Sequence, residues 1–588
     1  MRSFRRTLEF LVPYRGRVIG AVLLTLLVTV LQIVPPRLYE GAIDGPIAAA
    51  LKSRTPDSIA AARQQLIWFA GGLIAVVAVR NILSYGQSYL LNWIGHRFVF
   101  DLRFRTWQHL QRLSLAFHHQ TQTGKIMARV TADIELIQGL IQGQLVTFLS
   151  DIVTLVVVLG LLFTLEWRLA LAVLVLVPFY VVSYLAFLKH IREVSQRQRK
   201  LYDEMLGKLA EKIAGIQVVK AFVREDEERE SFMQSVRAKF VVDMRQVHLN
   251  RRLGLVSGAI SAIGTGVVYA YGGQLVQQGE MTAGKLVAIT FYIGFIFNPA
   301  VRVVDFNNAL QWAVSAMDRV FQTLDTRPEI EDRPNATILP NVRGAVTFEN
   351  VTFGYQAGHP LIDGLNLTVR EGEVVALVGP SGSGKTTLMN LLMRFWDPQR
   401  GRVCVDGHDI AEVRLESLRR QVSMVAQENV LFSVSIMENI KYGKRDASDE
   451  EAIAASRAAD LHDFVETLPD GYDTMIGEEG IKLSGGQKQR LALARALVTD
   501  PKILILDDVT SALDGETEAR VQDALRRVMR GRTTFIIAHR LSSVVDADRI
   551  LVIESGRIVD MGTHYELVER AGIYRETYEE QFRSALAR

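Results

Sequence analysis

Residues 373–387 read Glu373-Val374-Val375-Ala376-Leu377-Val378-Gly379-Pro380-Ser381-Gly382-Ser383-Gly384-Lys385-Thr386-Thr387. Residues 374–378 are an apolar, strand-like run, and the residues from Gly379 on fit the spacing G-x-x-x-x-G-K-[ST] ahead of a predicted helix. A strand that runs through a glycine-rich turn into a helix is the setting of a phosphate-binding loop. The sequence therefore predicts a nucleotide-binding α/β domain.

Each residue type in this loop has a physical role. The glycines allow backbone N–H groups to turn inward around phosphates, and the positive end of the following helix faces the anion. The Lys385 ammonium would reach the β and γ phosphates, and the Thr386 hydroxyl would ligate Mg²⁺. The predicted nucleotide contacts are the whole loop, namely Gly379, Pro380, Ser381, Gly382, Ser383, Gly384, Lys385, Thr386 and Thr387.

An acidic element follows about 120 residues later, where Ile503-Leu504-Ile505-Leu506 runs into Asp507-Asp508. In phosphate-loop proteins the first acid after such a strand holds Mg²⁺, directly or through water. By itself, an acid pair at the end of a strand is as consistent with a solvated turn as with a Mg²⁺ site. The phosphate loop upstream favours a metal role for Asp507.

Between these elements lies Leu483-Ser484-Gly485-Gly486-Gln487, ahead of a helix predicted to begin near Lys488. Here the sequence resembles the ATP-binding cassette (ABC) family, for which LSGGQ at this distance is highly specific. Physically the segment is a second anion cradle at a helix N-terminus. The resemblance implies that Ser484, Gly485, Gly486 and Gln487 complete the nucleotide site of an opposing cassette.

The resemblance covers the whole chain and implies further roles. Tyr355 matches the aromatic residue that stacks on adenine. Gln427 matches the glutamine that senses Mg²⁺ and the attacking water, and His539 matches the switch histidine at the γ phosphate. The implied catalytic set is thus Asp508, His539 and Gln427, and the implied metal set is Thr386, Gln427 and Asp507. Two further segments match family elements. Ser511-Ala512-Leu513-Asp514 resembles the loop that links the two ATP sites, and Gly477-Glu478-Glu479-Gly480 resembles the segment that senses the membrane domain.

One position departs from the family pattern. Asp508 stands where the family usually has Glu, which polarises the attacking water. Its carboxylate would sit about 1.5 Å back, and small displacements of a base cost about 100-fold in rate. With Ser484–Gln487 intact, we expect a heterodimer whose other half-transporter carries Glu at that position. A homodimer with two slow sites is the alternative.

The apolar stretches lie before residue 300, and six of them approach the roughly 20 residues that a membrane helix needs. The first ends at a proline pair, Pro35-Pro36, which can lie in or at the edge of a membrane helix. The predicted spans are Val18–Val34, Leu66–Trp93, Phe148–Leu165, Leu169–Leu188, Leu253–Val276 and Leu286–Val301.

Loop charges predict the topology. The connections after the second and fourth spans are rich in Lys and Arg, whereas the third and fourth spans are joined by Glu166-Trp167-Arg168 alone. Because basic loops stay cytoplasmic, both termini and the two long connections are predicted to be cytoplasmic. The chain would be a multi-pass protein of a cell membrane, such as a bacterial inner membrane. Phe4–Tyr14 would be an interfacial helix, with a disordered start as the alternative.

Both long connections, 94–147 and 189–252, have helical apolar spacing and predict cytoplasmic extensions of the spans. Probable turns at 118–124 and 213–217 are the points where a cytoplasmic partner domain could be touched. The paired His118 and His119 do not indicate a metal site, because no third ligand is spaced to join them.

Charges inside the spans are few: Arg80, Asp151 and Arg302. Such a charge either lines a cavity that sees cargo or belongs to a buried pair or a snorkelling side chain. The rest of the bundle is rich in Leu, Val, Ile, Phe and Tyr, which favours hydrophobic or amphipathic cargo such as drugs, lipids or peptides.

The predicted fold is multi-domain. An all-α six-helix transmembrane domain (1–324) with long cytoplasmic extensions precedes a linker (325–341) and an α/β phosphate-loop ATPase domain (342–588). A net charge of +3 does not suggest a nucleic-acid partner, and the single cysteine, Cys404, excludes an intrachain disulfide.

This order resembles ABC exporters of the multidrug and lipid-flippase type, which implies MgATP-driven transport by alternating access. The six apolar segments exclude a soluble cassette ATPase, and importers usually place the two domains on separate chains. A non-transporting regulator or channel on the same scaffold is the alternative function.

Overall fold

The computed structural model describes residues 6, 9–340, 342–356, 358–427, 429–477, 483–509, 515–538, 544–570 and 572–586, with the backbone alone at 297–301, 303–305, 308, 515–521 and 581–586. The chain divides into two compact units. The helical unit comprises Met1–Gln111 and Thr123–Thr326, and the α/β unit comprises Arg112–Gln122 and Arg327–Arg588. The short segment Arg112–Gln122 thus groups with the α/β unit, whereas the sequence analysis assigned it to the first domain.

The helical unit consists of long helices joined by short turns. A 3₁₀ turn at Val12–Tyr14 and π-helical turns at Ile43–Ile47 and Leu140–Gln144 interrupt them. Its α-helices are Arg15–Ala42, Ala48–Ser53, Pro56–Leu110, Thr123–Val130, Ala132–Gly139, Leu145–Leu165, Trp167–Ala214, Ile216–Ala221, Glu225–Gln277 and Ala283–Asp325.

Five helical segments among the described residues are long and apolar enough to cross a membrane: Glu9–Ser53, Pro56–Leu110, Thr123–Leu165, Trp167–Ala214 and Glu225–Gln277. They contain the first five predicted spans. The sixth predicted span begins in Ala283–Ile296, which is shorter than a full span. The helix that contains it continues to Asp325, so a sixth span stays a prediction.

The proline pair lies within the first helix, one of the two placements that the sequence allowed. Pro35 and Pro36 lie inside Arg15–Ala42, and Pro36 is buried. Membrane helices tolerate proline because neighbouring helices and side chains satisfy the backbone groups that it frees. Near the pair, Tyr292 of a neighbouring helix donates to the carbonyl oxygen of Ile33 over 3.0 Å and ties this part of the helix to its neighbour.

The predicted helical extensions are present. Pro56–Leu110 has 55 residues, Trp167–Ala214 has 48 and Glu225–Gln277 has 53, which at 1.5 Å per residue gives helices of roughly 70–80 Å. The turns fall where they were predicted. The first turn contains the short helix Leu115–Gln120. At the second turn the long helix ends at Ala214, and the short helix Ile216–Ala221 follows Gly215.

The α/β unit contains two sheets. Val346–Phe353 (β1), Ile362–Val369 (β2), Arg400–Val405 (β4) and His408–Asp409 (β5) pair antiparallel in the order β2-β1-β4-β5. A larger sheet in the order β10-β9-β3-β8-β7-β6 contains Val374–Val378 (β3), Val422–Val425 (β6), Ile503–Asp507 (β7), Thr533–Ile537 (β8), Arg549–Glu554 (β9) and Arg557–Gly562 (β10). All five residues of β7 are buried, as expected for a parallel strand covered on both faces.

Helices complete this unit and cover the larger sheet. They are Leu115–Gln120, Lys385–Leu392, Leu415–Arg419, Ile436–Lys441, Asp449–Ala458, His462–Glu466, Gly485–Leu497, Gly515–Met529, His564–Glu569 and Ile573–Leu586, with a 3₁₀ turn at Gly471–Asp473. Two buried apolar clusters result, and the central strand β3 contributes to both: Ala376 to one, Val375 and Leu377 to the other. Both faces of β3 are therefore buried, as expected for a central parallel strand.

Candidate nucleotide-binding site

The phosphate loop leaves the carboxyl end of β3 and enters the helix Lys385–Leu392. Gly379 has φ +152°, and a Cβ there would lie 2.0 Å from the carbonyl oxygen of Ile553. Gly384, at the helix N-cap, has φ +104°. Only glycine fits these conformations without strain, so the predicted glycines are what allow the cradle to form.

Lys385 lies inside this cradle and is 5% exposed. Its ammonium donates to the carbonyl oxygens of Gly379 and Pro380, both over 2.8 Å. Burial lowers the pKa of Lys385, and the nearby Asp507 carboxylate opposes that shift. A buried cation held by two carbonyl dipoles is suited to exchange them for an anion.

The acids at the end of β7 join the loop, as predicted from the sequence. Asp507 and Asp508 are both 7% exposed. The Thr386 hydroxyl lies 3.4 Å from Oδ2 of Asp507, so the two predicted metal ligands converge. Gln427, at the end of β6, donates to Oδ2 of Asp508 over 3.2 Å.

Asp508 occupies an unusual backbone conformation. Its φ is +49°, and its N–H donates to the carbonyl oxygen of Ile537 over 2.9 Å. Left-handed non-glycine residues are uncommon and are often found at functional sites, although Asp tolerates them better than most. The strand neighbour β8 therefore holds the aspartate where β7 ends.

Tyr355 is half exposed and lies beside the loop. Its hydroxyl is 3.2 Å from Oγ1 of Thr387, and its ring packs edge-on against Phe353 and Trp396 at centroid distances of 5.1 and 5.3 Å. This packing fixes the ring but leaves part of it available for stacking. The sequence points to Tyr355 but not to Trp396, because nothing local marks a tryptophan as the support of another ring.

The LSGGQ segment forms a capped helix N-terminus. The Ser484 N–H donates to Oε1 of Gln487 over 2.8 Å, and the Gln487 N–H donates to Oγ of Ser484 over 3.3 Å. This reciprocal capping box starts the helix Gly485–Leu497. Ser484 and Gly485 are exposed, whereas Gly486 is buried. The anion cradle thus faces outward from the unit.

Three predicted features fall outside the described residues. They are His539, the loop Ser511-Ala512-Leu513-Asp514, and Glu478-Glu479-Gly480.

Arg495 was missed by the sequence analysis. From the helix that follows LSGGQ it donates to Asn439 Oδ1 over 2.6 Å and to the Val430 carbonyl oxygen over 2.8 Å. Its guanidinium also lies over the rings of Phe432 and Tyr442, at 5.5 and 5.8 Å. Burial lowers the pKa of Arg495. Arg495 therefore ties the segment after Gln427 to the LSGGQ helix, a link that only the fold brings together.

The first turn of the helical extensions packs within the α/β unit. The His119 ring lies 6.1 Å from that of Trp396, which in turn contacts Tyr355. The second turn belongs to the helical unit, where Ile216, Val218 and Phe222 expose 48, 61 and 71% of their surface.

A phosphate loop joined to a carboxylate-ended strand, an LSGGQ helix and a set of membrane-length helices define an ATP-driven membrane transporter. Residues 18–300 match the family described as "ABC transporter transmembrane region", and residues 362–511 match "ABC transporter". The chain belongs to the ABC transporter family, and within it to the half-transporters of exporter type, which are multi-pass membrane ATPases.

Relatives of both exporter kinds cover nearly the whole chain. An "ATP-dependent lipid A-core flippase" of Syntrophus aciditrophicus is 38% identical over 547 residues, 93% of this chain and 91% of that protein. A Bacillus subtilis protein named for multidrug export, YgaD, is 36% identical over 583 residues, 98% of this chain and 99% of that protein. The solved "Structure of a bacterial Atm1-family ABC exporter with ATP bound" superposes with a TM-score of 0.80 at 32% identity, over 96% of this chain and 98% of that one.

Proposed function

We propose that this chain binds MgATP in the cradle of residues 379–387 and couples its hydrolysis to the export or flipping of hydrophobic or amphipathic cargo. The observation that carries the proposal is the convergence of Lys385, Thr386 and Asp507. A buried ammonium, a hydroxyl and a carboxylate meet at one helix N-terminus, and the two oxygen donors lie 3.4 Å apart.

The donor set fits Mg²⁺, which prefers hydroxyl and carboxylate oxygens and usually keeps several waters. Thr386 and Asp507 would hold the ion, with the Gln427 amide oxygen as a further ligand. The ion would neutralise charge on the β and γ phosphates.

The protein groups would position the reactants. Lys385 would leave the carbonyl oxygens of Gly379 and Pro380 and bind the β and γ phosphates. Tyr355 would stack on the base, and Asp508 would orient the attacking water together with Gln427. His539 takes the switch role at the γ phosphate by family resemblance.

The nucleotide site requires a second chain. ABC half-transporters typically work as dimers, and the exposed Ser484 cradle supports a role in the site of an opposing cassette. Because Asp508 replaces the usual Glu, we favour a heterodimer over a homodimer. We place the termini in the cytoplasm and the protein in a bacterial inner membrane.

The relatives named for lipid A-core flipping and multidrug export support an amphipathic cargo. The described bundle core is also largely apolar, with residues such as Val158, Leu162 and Ile289 fully buried.

The test is Lys385→Ala in the full-length dimer, measured by ATP binding and by ATP-dependent transport into inverted membrane vesicles. ATP binding should be weakened and transport abolished, because the substitution removes the charge that gathers the β and γ phosphates. Lys502→Ala, an exposed lysine of the same unit, is the matched control and should retain both. ATP-dependent transport at the wild-type rate by Lys385→Ala would overturn the proposal.

A further inference from the structure

A polar cavity of about 410 Å³ lies within the helical unit, between helices that carry the predicted spans. Most of its described lining is polar, although the sequence had suggested an apolar bundle interior. The residues that matter here are Thr29, Gln87, Gln142, Ser150, Asp151 and Arg302. Polar side chains are costly at membrane depth, so a cavity lined by them is a candidate functional site.

The only acidic and basic side chains in the described lining form a pair. Arg302 donates from Nε to Oδ2 of Asp151 over 2.9 Å and from Nη2 to Oδ1 over 2.6 Å. Asp151 is 8% exposed, whereas the Arg302 side chain is about half exposed to the cavity side. The sequence left open whether these charges line a cavity or belong to a buried pair. Asp151 and Arg302 do both, because they form a pair and also line the cavity.

Other lining groups are fixed by the protein. Ser150 shares a 2.8 Å hydrogen bond with Thr29, and Gln87 donates to Thr25 over 2.9 Å. Gln142 lies in the π-helical turn Leu140–Gln144, a feature often found at functional sites. It packs on Gly95, where a Cβ would lie 2.2 Å from its Cγ.

Three further polar side chains line the cavity. Among the described residues, the side chains of Gln32, Ser88 and Thr147 line the cavity without a hydrogen-bond partner in the protein. Ser88 and Thr147 are exposed and Gln32 is half-buried, so their amide and hydroxyl groups are open to water or to a hydrogen-bonding ligand. Phe295, Leu91 and Val28 supply apolar wall beside them, which suits a hydrocarbon tail.

We propose that this cavity binds the uncharged, hydrogen-bonding head group of an amphiphile and that Asp151 sets this preference by neutralising Arg302. An anionic head would gain from the guanidinium but meet the carboxylate beside it, so the pair offers no net attraction. The unpartnered amide and hydroxyls instead recognise hydroxyl or amide groups. The inference rests on the proposed export function for its physiological meaning, but the binding itself does not require ATP.

Binding in the cavity can be measured by how well a ligand protects an introduced cysteine from labelling. The sole native cysteine, Cys404, is 3% exposed and is removed as Cys404→Ser. Ser88→Cys then places one thiol in the wall. Its maleimide labelling is measured in the full-length dimer in nanodiscs without ATP, with decyl maltoside, decyl phosphate or decyltrimethylammonium added below micellar concentrations. Decyl maltoside should protect the thiol at least tenfold more effectively than decyl phosphate.

Asp151→Asn should shift this ratio by at least tenfold toward decyl phosphate, because Arg302 is no longer neutralised. Arg302→Gln leaves the Asp151 carboxylate unneutralised and should raise protection by decyltrimethylammonium relative to decyl maltoside. It is an independent test if Asp151→Asn does not fold. The matched control is Asp133→Asn, which breaks another bidentate Asp–Arg pair of the same unit, with Arg319, and should leave the ratio unchanged.

Unchanged ratios in both cavity variants, protection by none of the three probes, or a wild-type preference for decyl phosphate would each overturn the inference. The same protection should persist in Lys385→Ala. Failure of ATP-driven export therefore leaves this result intact, and failure of protection leaves the export proposal intact.

Discussion

The side-chain amide of Gln427 donates to Oδ2 of Asp508 over 3.2 Å, while the Asp508 N–H is held by the Ile537 carbonyl oxygen over 2.9 Å. The backbone bond fixes the aspartate at the end of β7, and the amide engages its carboxylate. Aspartate is one methylene shorter than the glutamate usual in the family. Its carboxylate therefore reaches less far toward an attacking water, and moving it forward would break the contact with Gln427.

In the co-expressed complex, we expect Asp508→Asn to lower steady-state ATPase turnover by no more than about twofold, since this site already cleaves slowly. Ser484→Arg should nearly stop turnover, because it blocks the cradle that serves the partner's site. A displaced general base lowers the rate of hydrolysis about 100-fold, and we expect a difference of this size between the turnover of the two sites.

A different result would exclude this unequal pair. If the chain purifies alone as a dimer with brisk ATPase activity that Asp508→Asn abolishes, Asp508 is a competent base and the unequal-pair hypothesis is wrong. Asp508→Glu is a further test of whether the site is slow, because it should speed ATP hydrolysis at a slow site.

Trp396 lies between two functional elements of the α/β unit, since its ring contacts both His119 at 6.1 Å and Tyr355 at 5.3 Å. We expect His119→Ala, and bulky substitutions at residues 120–124, to lower cargo-stimulated ATPase activity several-fold while ATP affinity is kept. Bulky substitutions at 214–218 in the second turn should act in the same way.

ATP affinity, measured by equilibrium binding, is the discriminating control. A loss of affinity with stimulation retained would show that these turns do not couple the two processes. Lys444→Ala, at an exposed ion pair with Glu451 in the same unit, should affect neither.

Arg394 is a buried arginine in a left-handed conformation, 1% exposed with φ +49°. It binds the linker through the Glu331 carbonyl oxygen at 3.3 Å and also contacts Val413 and Asp397. Arg394→Ala should destabilise the α/β unit by about 3 kcal/mol through unmet buried groups. Arg394→Gly should be less damaging by about 1 kcal/mol, because glycine accepts positive φ. Chemical denaturation of the full-length protein measures both, and an alanine variant as stable as the glycine variant would contradict the strain argument.

Tyr574 predicts an alkaline transition. It is 2% exposed, its hydroxyl lies 2.7 Å from Nδ1 of His564, and burial raises its pKa from 10.0 to about 12. A raised folded-state pKa contributes stability that is present below pH 10 and is lost as pH rises through 12. Wild type should therefore exceed Tyr574→Phe in thermal stability at pH 8, and the advantage should shrink above pH 10. The exposed Tyr565→Phe is the control, and a difference that does not depend on pH would contradict the prediction.

Much of the site could be predicted from sequence because its chemistry is local. The loop at 379–387 needs glycines, a lysine and a threonine at fixed spacing, and β7 needs an apolar run that ends in acids. The span-length helices follow from apolar length alone, since a bilayer accepts little else.

The tertiary structure decided what depends on residues far apart in the chain. It carried the first helix through Pro35 and Pro36, placed Trp396 between His119 and Tyr355, and tied Arg495 to Asn439. It also paired Asp151 with Arg302, 151 residues away, and surrounded them with a polar cavity. Sequence patterns report the periodicity and chemistry of a segment, whereas a long-range contact depends on how packed helices and strands bring distant side chains together. For this reason the nucleotide chemistry could be recognised from the residues, and the charge balance of the membrane cavity could not.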